Sequence, residues 1–293
     1  VIDQASSYEP RPIKRHRRTA AEIDHLMVQI YQVVESDPPM SVRQVFYRLV
    51  SIGAIDKTEH AYKNVVVRLL GKMRREGLLP FGWIADNTRW IRKPTTYSSL
   101  EAALHATAAT YRRSVWYDAE VHVEVWVEKE ALAGVIYGVT GEWDVPLVPL
   151  RGYSSISLLH SVAEEIQALG KPAYIYYFGD RDPSGVDIDR VAEKDVRQFA
   201  SAVEIHFERM AVLPSQIVSL NLPSRPTKKT DSRNRGFAGE SVELDSIPPG
   251  QLRALVRMCI ERHVDPRQLE QIQRVEESER GLLRHIAKHW DAA

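Results

Sequence analysis

Three carboxylates stand where the chain leaves a β-strand. Glu128 closes the alternating run Val121, Val123, Val125, Val127, while Asp180 and Asp182 follow the apolar run Ala173–Phe178. In an open α/β sheet the carboxyl ends of strands line the crevice where ligands bind. Neighbouring strands would therefore bring Glu128 up to the Asp-x-Asp pair. Three acids converging there repel one another unless a cation joins them. Hard oxygen donors with room for water suit Mg²⁺, which keeps several waters and completes its shell with substrate phosphate. The expected metal ligands are Glu128, Asp180 and Asp182. Gly179 permits a sharp exit from the strand, and Pro183 and Gly185 open the next helix. Asp187 and Asp189 fall on that helix's first turn.

The elements that must position these acids follow from periodicity. From about 121 a strand ending at Glu128 leads to a helix (130–138), a strand (145–150), a helix (155–169), the strand Ala173–Phe178, a helix (185–199) and a strand (203–207). Such alternation predicts βαβ units and a mostly parallel sheet covered on both faces. Residues 214–250 read as a Pro-rich, basic loop region, followed by helices over about 249–263 and 266–289. Ahead of the sheet, the capping boxes Thr19-x-x-Glu22 and Ser41-x-x-Gln44 start two helices, separated by the breaker Asp37-Pro38-Pro39. The second carries the stripe Val42, Val45, Phe46, Leu49, Val50. A third helix is expected over 58–75, then a β-wing at 79–83. Three helices and a wing describe a winged helix-turn-helix over 19–110, behind a flexible basic arm (1–18). The α/β domain is expected over 118–293.

Formal charge is zero over 293 residues, but unevenly spread. Residues 1–93 hold 16 Lys and Arg against 10 Asp and Glu, a net of +6, which leaves −6 in the remainder. This split suits polyanion binding in front and carboxylate chemistry behind. Arg68, Lys72 and Arg75 share one face of the third helix, off its apolar stripe, as a helix laid on DNA phosphates would. Lys228, Lys229, Arg233 and Arg235 form a second basic cluster in a loop that could cover a substrate. No apolar run approaches the ~20 residues of a membrane helix, and the polar, basic start lacks the apolar stretch of a secretory signal. The lone Cys259 falls in an apolar helical pattern, as a core residue of a protein in a reducing compartment does. A cytoplasmic, nucleoid-associated location is expected.

At its acidic residues the chain resembles Toprim proteins, in particular the A subunit of topoisomerase VI and its meiotic break-forming relatives. Val127-Glu128-Lys129-Glu130 is similar to that family's stretch after the first Toprim strand, Gly152-Tyr153 to its Gly-Tyr turn, and Gly179-Asp180-Arg181-Asp182-Pro183-Ser184-Gly185 to its Asp-x-Asp-Pro-x-Gly loop. Arg43-Gln44-Val45-Phe46-Tyr47 is similar to the Arg-x-x-aromatic-Tyr run of its winged-helix domain, which puts Tyr47 at the nucleophile's position. Arg43 and Tyr47 are one turn apart and are expected to rotate away from the apolar stripe. Ser154-Ser155 stand where the family usually has Pro-Asp, and no phosphate-cradling Gly-rich loop is present, so any ATPase would be a separate subunit.

The resemblance implies a Rossmann-like Toprim fold and Mg²⁺-dependent cleavage of double-stranded DNA. Tyr47 would form a 5′-phosphotyrosyl link and Arg43 would steady the charge. It also implies a homodimer in which the tyrosine of one protomer works with the metal of the other. Two other readings compete. In one, a Toprim nuclease uses metal-activated water and Tyr47 only packs; in the other, the chain is a non-catalytic DNA-binding or assembly module.

Overall fold

The computed structural model describes residues 18–85, 94–152, 154–226, 237 and 239–289. Within it, the N-terminal helices begin where their caps predict. α1 (Ala20–Ser36) and α2 (Val42–Ser51) each start at a complete capping box, on Thr19 and Ser41. The expected third helix is a continuous run: α3 (Glu59–Ala61), a π-helical stretch (Tyr62–Val67) and α4 (Arg68–Arg75). These helices enclose one apolar core that includes Ile30, Val34, Phe46, Leu49, Val66 and Leu69. The wing expected at 79–83 is not formed. Phe81–Trp83 is a 3₁₀ turn, and Ile84 makes a single parallel bridge to Met40. Pro80 cannot donate to a ladder and Gly82 gives a strand no side chain to pack, so the segment closes the helical core instead.

The rest is an α/β unit around a four-stranded parallel sheet of order β2-β1-β3-β4. Its strands are β1 (His122–Val127), β2 (Leu147–Pro149), β3 (Ala173–Phe178) and β4 (Ile205–Ala211). Helices cover both faces, as the βαβ rhythm requires. α6 (Glu130–Glu142) and α10 (Pro249–Glu261) bury one face through Val125, Val127, Phe178 and Cys259. α7 (Ile156–Leu169) and α8 (Pro183–Phe199) bury the other through Trp126, Ile175 and Tyr177. Glu124 is buried on that second face and fully satisfied: His122 Nε2 lies 2.8 Å from one oxygen, and Trp126 Nε1 donates to the other at 2.6 Å. α9 (Pro214–Ser219) is short. α11 (Pro266–His289) packs against α5 (Leu100–Thr110), so α5 sits with the C-terminal helices and not with the N-terminal core. No helix among the described residues is long and apolar enough to cross a membrane.

Candidate functional site

β1 and β3 are adjacent and in register, Val127 opposite Phe178, so the chain leaves both strands at one level. Glu128 and Asp180 meet there. The Asp180 amide donates to Glu128 Oε2 at 2.8 Å, and the Leu244 amide donates to Asp180 Oδ1 at 2.8 Å. Both side chains are buried. Burial, reinforced by the charge of Asp180, pushes the Glu128 carboxyl up to about 7. Burial also raises Asp180, against the pull of Lys129. A buried carboxylate pair shifted upward holds its negative charge at a cost. Gly185 is required by close approach: a Cβ there would come within 2.2 Å of the Asp180 carbonyl oxygen. Arg209 on β4 fixes the loop from behind. It donates to the carbonyls of Gly179 (3.1 Å), Asp180 (3.2 Å), Ala211 (3.2 Å) and Gly185 (2.9 Å), and it pairs with Asp189.

A second acidic stretch joins them from far along the chain. Val242 exchanges backbone hydrogen bonds with Arg181, and Ser241 with Arg225, which brings Glu243 and Asp245 beside Asp180. Lys129 stands among the acids, with Nζ 2.9 Å from Asp180 Oδ1, 2.8 Å from Asp245 Oδ2 and 3.5 Å from Glu243 Oε2. Burial opposes its charge, but Asp245, Asp180 and Glu243 outweigh that and hold the ammonium protonated well above the ordinary lysine range.

The helical unit closes the site from the other side. Ser41, the cap of α2, donates its hydroxyl to Asp245 Oδ1 at 2.7 Å, and Gln44 Nε2 donates to the Ile247 carbonyl at 3.3 Å. Asp37 accepts from the Gly250 amide at 2.6 Å and pairs with Arg253. Arg43 lies 4.2 Å above the Tyr62 ring, with Nε 3.5 Å from Glu243 Oε2. Lys57 Nζ donates to the Pro223 and Ser224 carbonyls at 2.9 and 2.7 Å. Tyr47 does not rotate clear of the apolar stripe. Its residue is 4% exposed and its ring packs edge-on to Phe46 at 5.3 Å. Burial raises its pKa and Glu243 adds to the rise, whereas Arg43, Lys129 and Arg225 favour the phenolate. The phenol therefore lies within electrostatic reach of the acid cluster of its own chain.

Glu128, Asp180 and Asp182 have the donor chemistry that suits Mg²⁺. Their geometry fits it in part. Asp182 caps α8, accepting from the Gly185 amide at 2.8 Å, and its other oxygen lies 3.7 Å from Arg225. Among the described residues no group of three or more His, Cys, Asp or Glu side chains is arranged to hold a metal ion. Lys129 lies against Asp180, where a divalent ion would have to enter. Asp187 and Asp189 lie beyond the first turn of α8, paired with Arg190 and Arg209.

Arg68, Lys72 and Arg75 are exposed on the helical unit; Arg68 Nε donates to the Asn64 carbonyl at 3.2 Å, and Lys72 lies 4.0 Å from Glu76. Lys228, Lys229, Arg233, Arg235, Tyr153 and residues 1–17 of the basic arm lie outside the described residues. Sequence reasoning missed Glu243, Asp245 and Arg209. The Glu-x-Asp spacing of residues 243–245 echoes the Asp-x-Asp pair and was the one available signal. No protein-family model matches the chain, and no curated protein matches it.

Proposed function

We propose that the chain is a Toprim-type, Mg²⁺-dependent DNA-cleaving protein, with a helix-turn-helix-like unit that presents Tyr47 to the phosphodiester backbone. The observation that carries this reading is the docking of α2 on the carboxylate loops. Through Ser41, Gln44 and Arg43 it brings a tyrosine within electrostatic reach of Glu243, Lys129 and Arg225, and Lys129 in turn touches the strand-end Asp180. Glu128 and Asp180, with Asp182 turned from its cap, would hold Mg²⁺, which supplies charge neutralisation at the reacting phosphate. Arg43 stabilises the forming phenolate and the phosphate. The Tyr47 oxygen bonds to phosphorus, the bond to the 3′ oxygen breaks, and the departing 3′ hydroxyl carries the proton that the phenol gives up. The product is a 5′-phosphotyrosyl link. Arg68, Lys72 and Arg75 contact flanking phosphates, and a homodimer would cut both strands. A separate ATPase subunit would be needed to turn cleavage into strand passage.

One observation favours a second reading. Tyr47 is buried and its hydroxyl is held protonated, as a packing tyrosine would be. In that case the same acids direct water, and the chain is a Toprim nuclease. Cleavage of supercoiled plasmid with Mg²⁺, followed by denaturing detection of protein-bound ends, separates the two: bound 5′ ends support transfer, and free ends support hydrolysis.

A further inference from the structure

Glu243 is where the positive charges of the site meet. Arg43 Nε and Lys129 Nζ each lie 3.5 Å from its Oε2, and Arg225 Nη1 lies 3.5 Å from its Oε1. Fully made contacts between charged nitrogen and carboxylate close to about 2.7–2.9 Å. Lys129 reaches that range with Asp180 and Asp245, but all three contacts to Glu243 are longer. Three cations from three separate stretches thus ring one carboxylate at a radius that leaves their donors incompletely used.

Exposure grades outward. The Glu243 side chain is 10% exposed, against 26% for Lys129, 30% for Arg43 and 44% for Arg225. Among the described residues the carboxylate is the most covered of the four groups and the cations lie nearer to solvent. Each cation is also held independently of Glu243. Arg43 rests on Tyr62 and lies 3.8 Å from Glu59, Lys129 rests on Asp180 and Asp245, and Arg225, whose backbone pairs with Ser241, lies 3.7 Å from Asp182.

We propose that Arg43, Lys129 and Arg225 form a seat for a single phosphodiester group, and that Glu243 is its resident anion, occupying the seat until a backbone phosphate replaces it. A phosphodiester and a carboxylate each carry one negative charge, so the phosphate gives the three cations the same counter-charge once the Glu243 side chain has turned out to solvent. The tetrahedral group spreads its oxygens more widely than a carboxylate, which matches the loose ring. Glu243 is here neither a metal ligand nor a nucleophile. It keeps three cations from repelling one another in the free protein and makes the empty site reject other anions. The identity of the ligand rests on the DNA-cleaving reading above; the seat itself does not.

The test is binding of thymidylyl-thymidine, which carries one phosphodiester, measured by NMR titration in EDTA with no cleavage scored. Glu243→Gln keeps the shape and removes the competing charge. Its affinity is expected to rise about tenfold, a screened fraction of the bare attraction between unit charges at this range. Arg225→Ala, at an exposed position, should weaken binding by a similar factor and cancel most of the gain in the double variant. Glu142→Gln, which removes an acid paired with Arg257 away from the site, should change nothing. Unchanged or weaker binding by Glu243→Gln would show that Glu243 is only a strut. If that variant does not fold, unchanged affinity in Arg225→Ala overturns the proposal instead. A chain that binds the dinucleotide as expected yet never cuts DNA would leave the seat standing and remove the cleavage reading.

Discussion

Glu128 and Asp180 are held by main-chain amides at the ends of adjacent strands, whereas Tyr47, Arg43 and Lys57 reach the same place from a helical unit fixed by side chains and caps. The acidic wall is held by the sheet, by the Arg209 clamp and by the close approach at Gly185. The tyrosine wall is joined to it by side-chain polar contacts at Ser41, Gln44, Arg43 and Asp37. The difference teaches which half can move. Entry of a metal should displace the Lys129 ammonium from Asp180 and shift α2, with Glu128 and Asp180 held in place.

The sharpest way to break this comparison is to ask whose acids the tyrosine uses. α2 docks on the acids of its own chain, whereas the family resemblance implies use of the partner's. If the docking seen here is the working one, Tyr47→Phe and Asp180→Ala subunits mixed and re-annealed should show no cleavage. Recovery of nicking in the mixture would place the tyrosine opposite the partner's acids.

Next in size is Arg209→Ala. It leaves several buried carbonyls and Asp189 without their partner, so a loss on the order of 3–5 kcal/mol is expected in urea unfolding. A loss below about 1 kcal/mol would mean that the clamp is not what holds the acidic wall. Replacing Arg68, Lys72 and Arg75 together with Ala should weaken duplex binding without regard to sequence. Each lost phosphate contact should also flatten the log–log salt dependence by roughly 0.9. An unchanged slope would show that this face does not touch DNA.

The smallest effect concerns Glu128. Its carboxyl titrates near 7 in the folded protein, raised by burial, against 4.5 without that environment. Below 4.5 it is protonated whether folded or not, and it affects stability little. As pH rises through 7 the folded state must hold a buried charge that the unfolded chain holds freely, so stability falls. Glu128→Gln removes that fall while keeping an acceptor for the Asp180 amide. The variant should match the wild type near pH 4.5 and exceed it at pH 8 by on the order of 1–3 kcal/mol in chemical unfolding. Equal stability at both pH values would contradict the shift.

The strand-end acids were legible because sequence alternation marks β1 and the apolar run marks β3, and both strands end where those patterns stop. β4 was read two residues early and four short. Its far half carries Glu208 and Arg209 on an edge strand, where polar residues break the pattern that a covered strand keeps. α5 was missed because its Ala- and Thr-rich sequence shows no strong apolar stripe. Glu243 and Asp245 lie on either side of Leu244, at a 3₁₀ turn inside a stretch without periodicity. The pairings of Val242 with Arg181 and of Ser241 with Arg225, with the Leu244 amide on Asp180, bring them to the site, and local sequence cannot encode contacts of that span.

The central claim is that Tyr47 forms the bond to DNA, and it is met most directly by removing one oxygen. Tyr47→Phe keeps the ring against Phe46. With Mg²⁺ and supercoiled plasmid, the wild type should yield ends that carry covalently bound protein after denaturation. The variant should yield none, with cleavage reduced by on the order of a thousandfold or more and with folding and duplex binding retained. Free ends produced equally by both proteins would contradict the account and leave the acids as the centre of a nuclease.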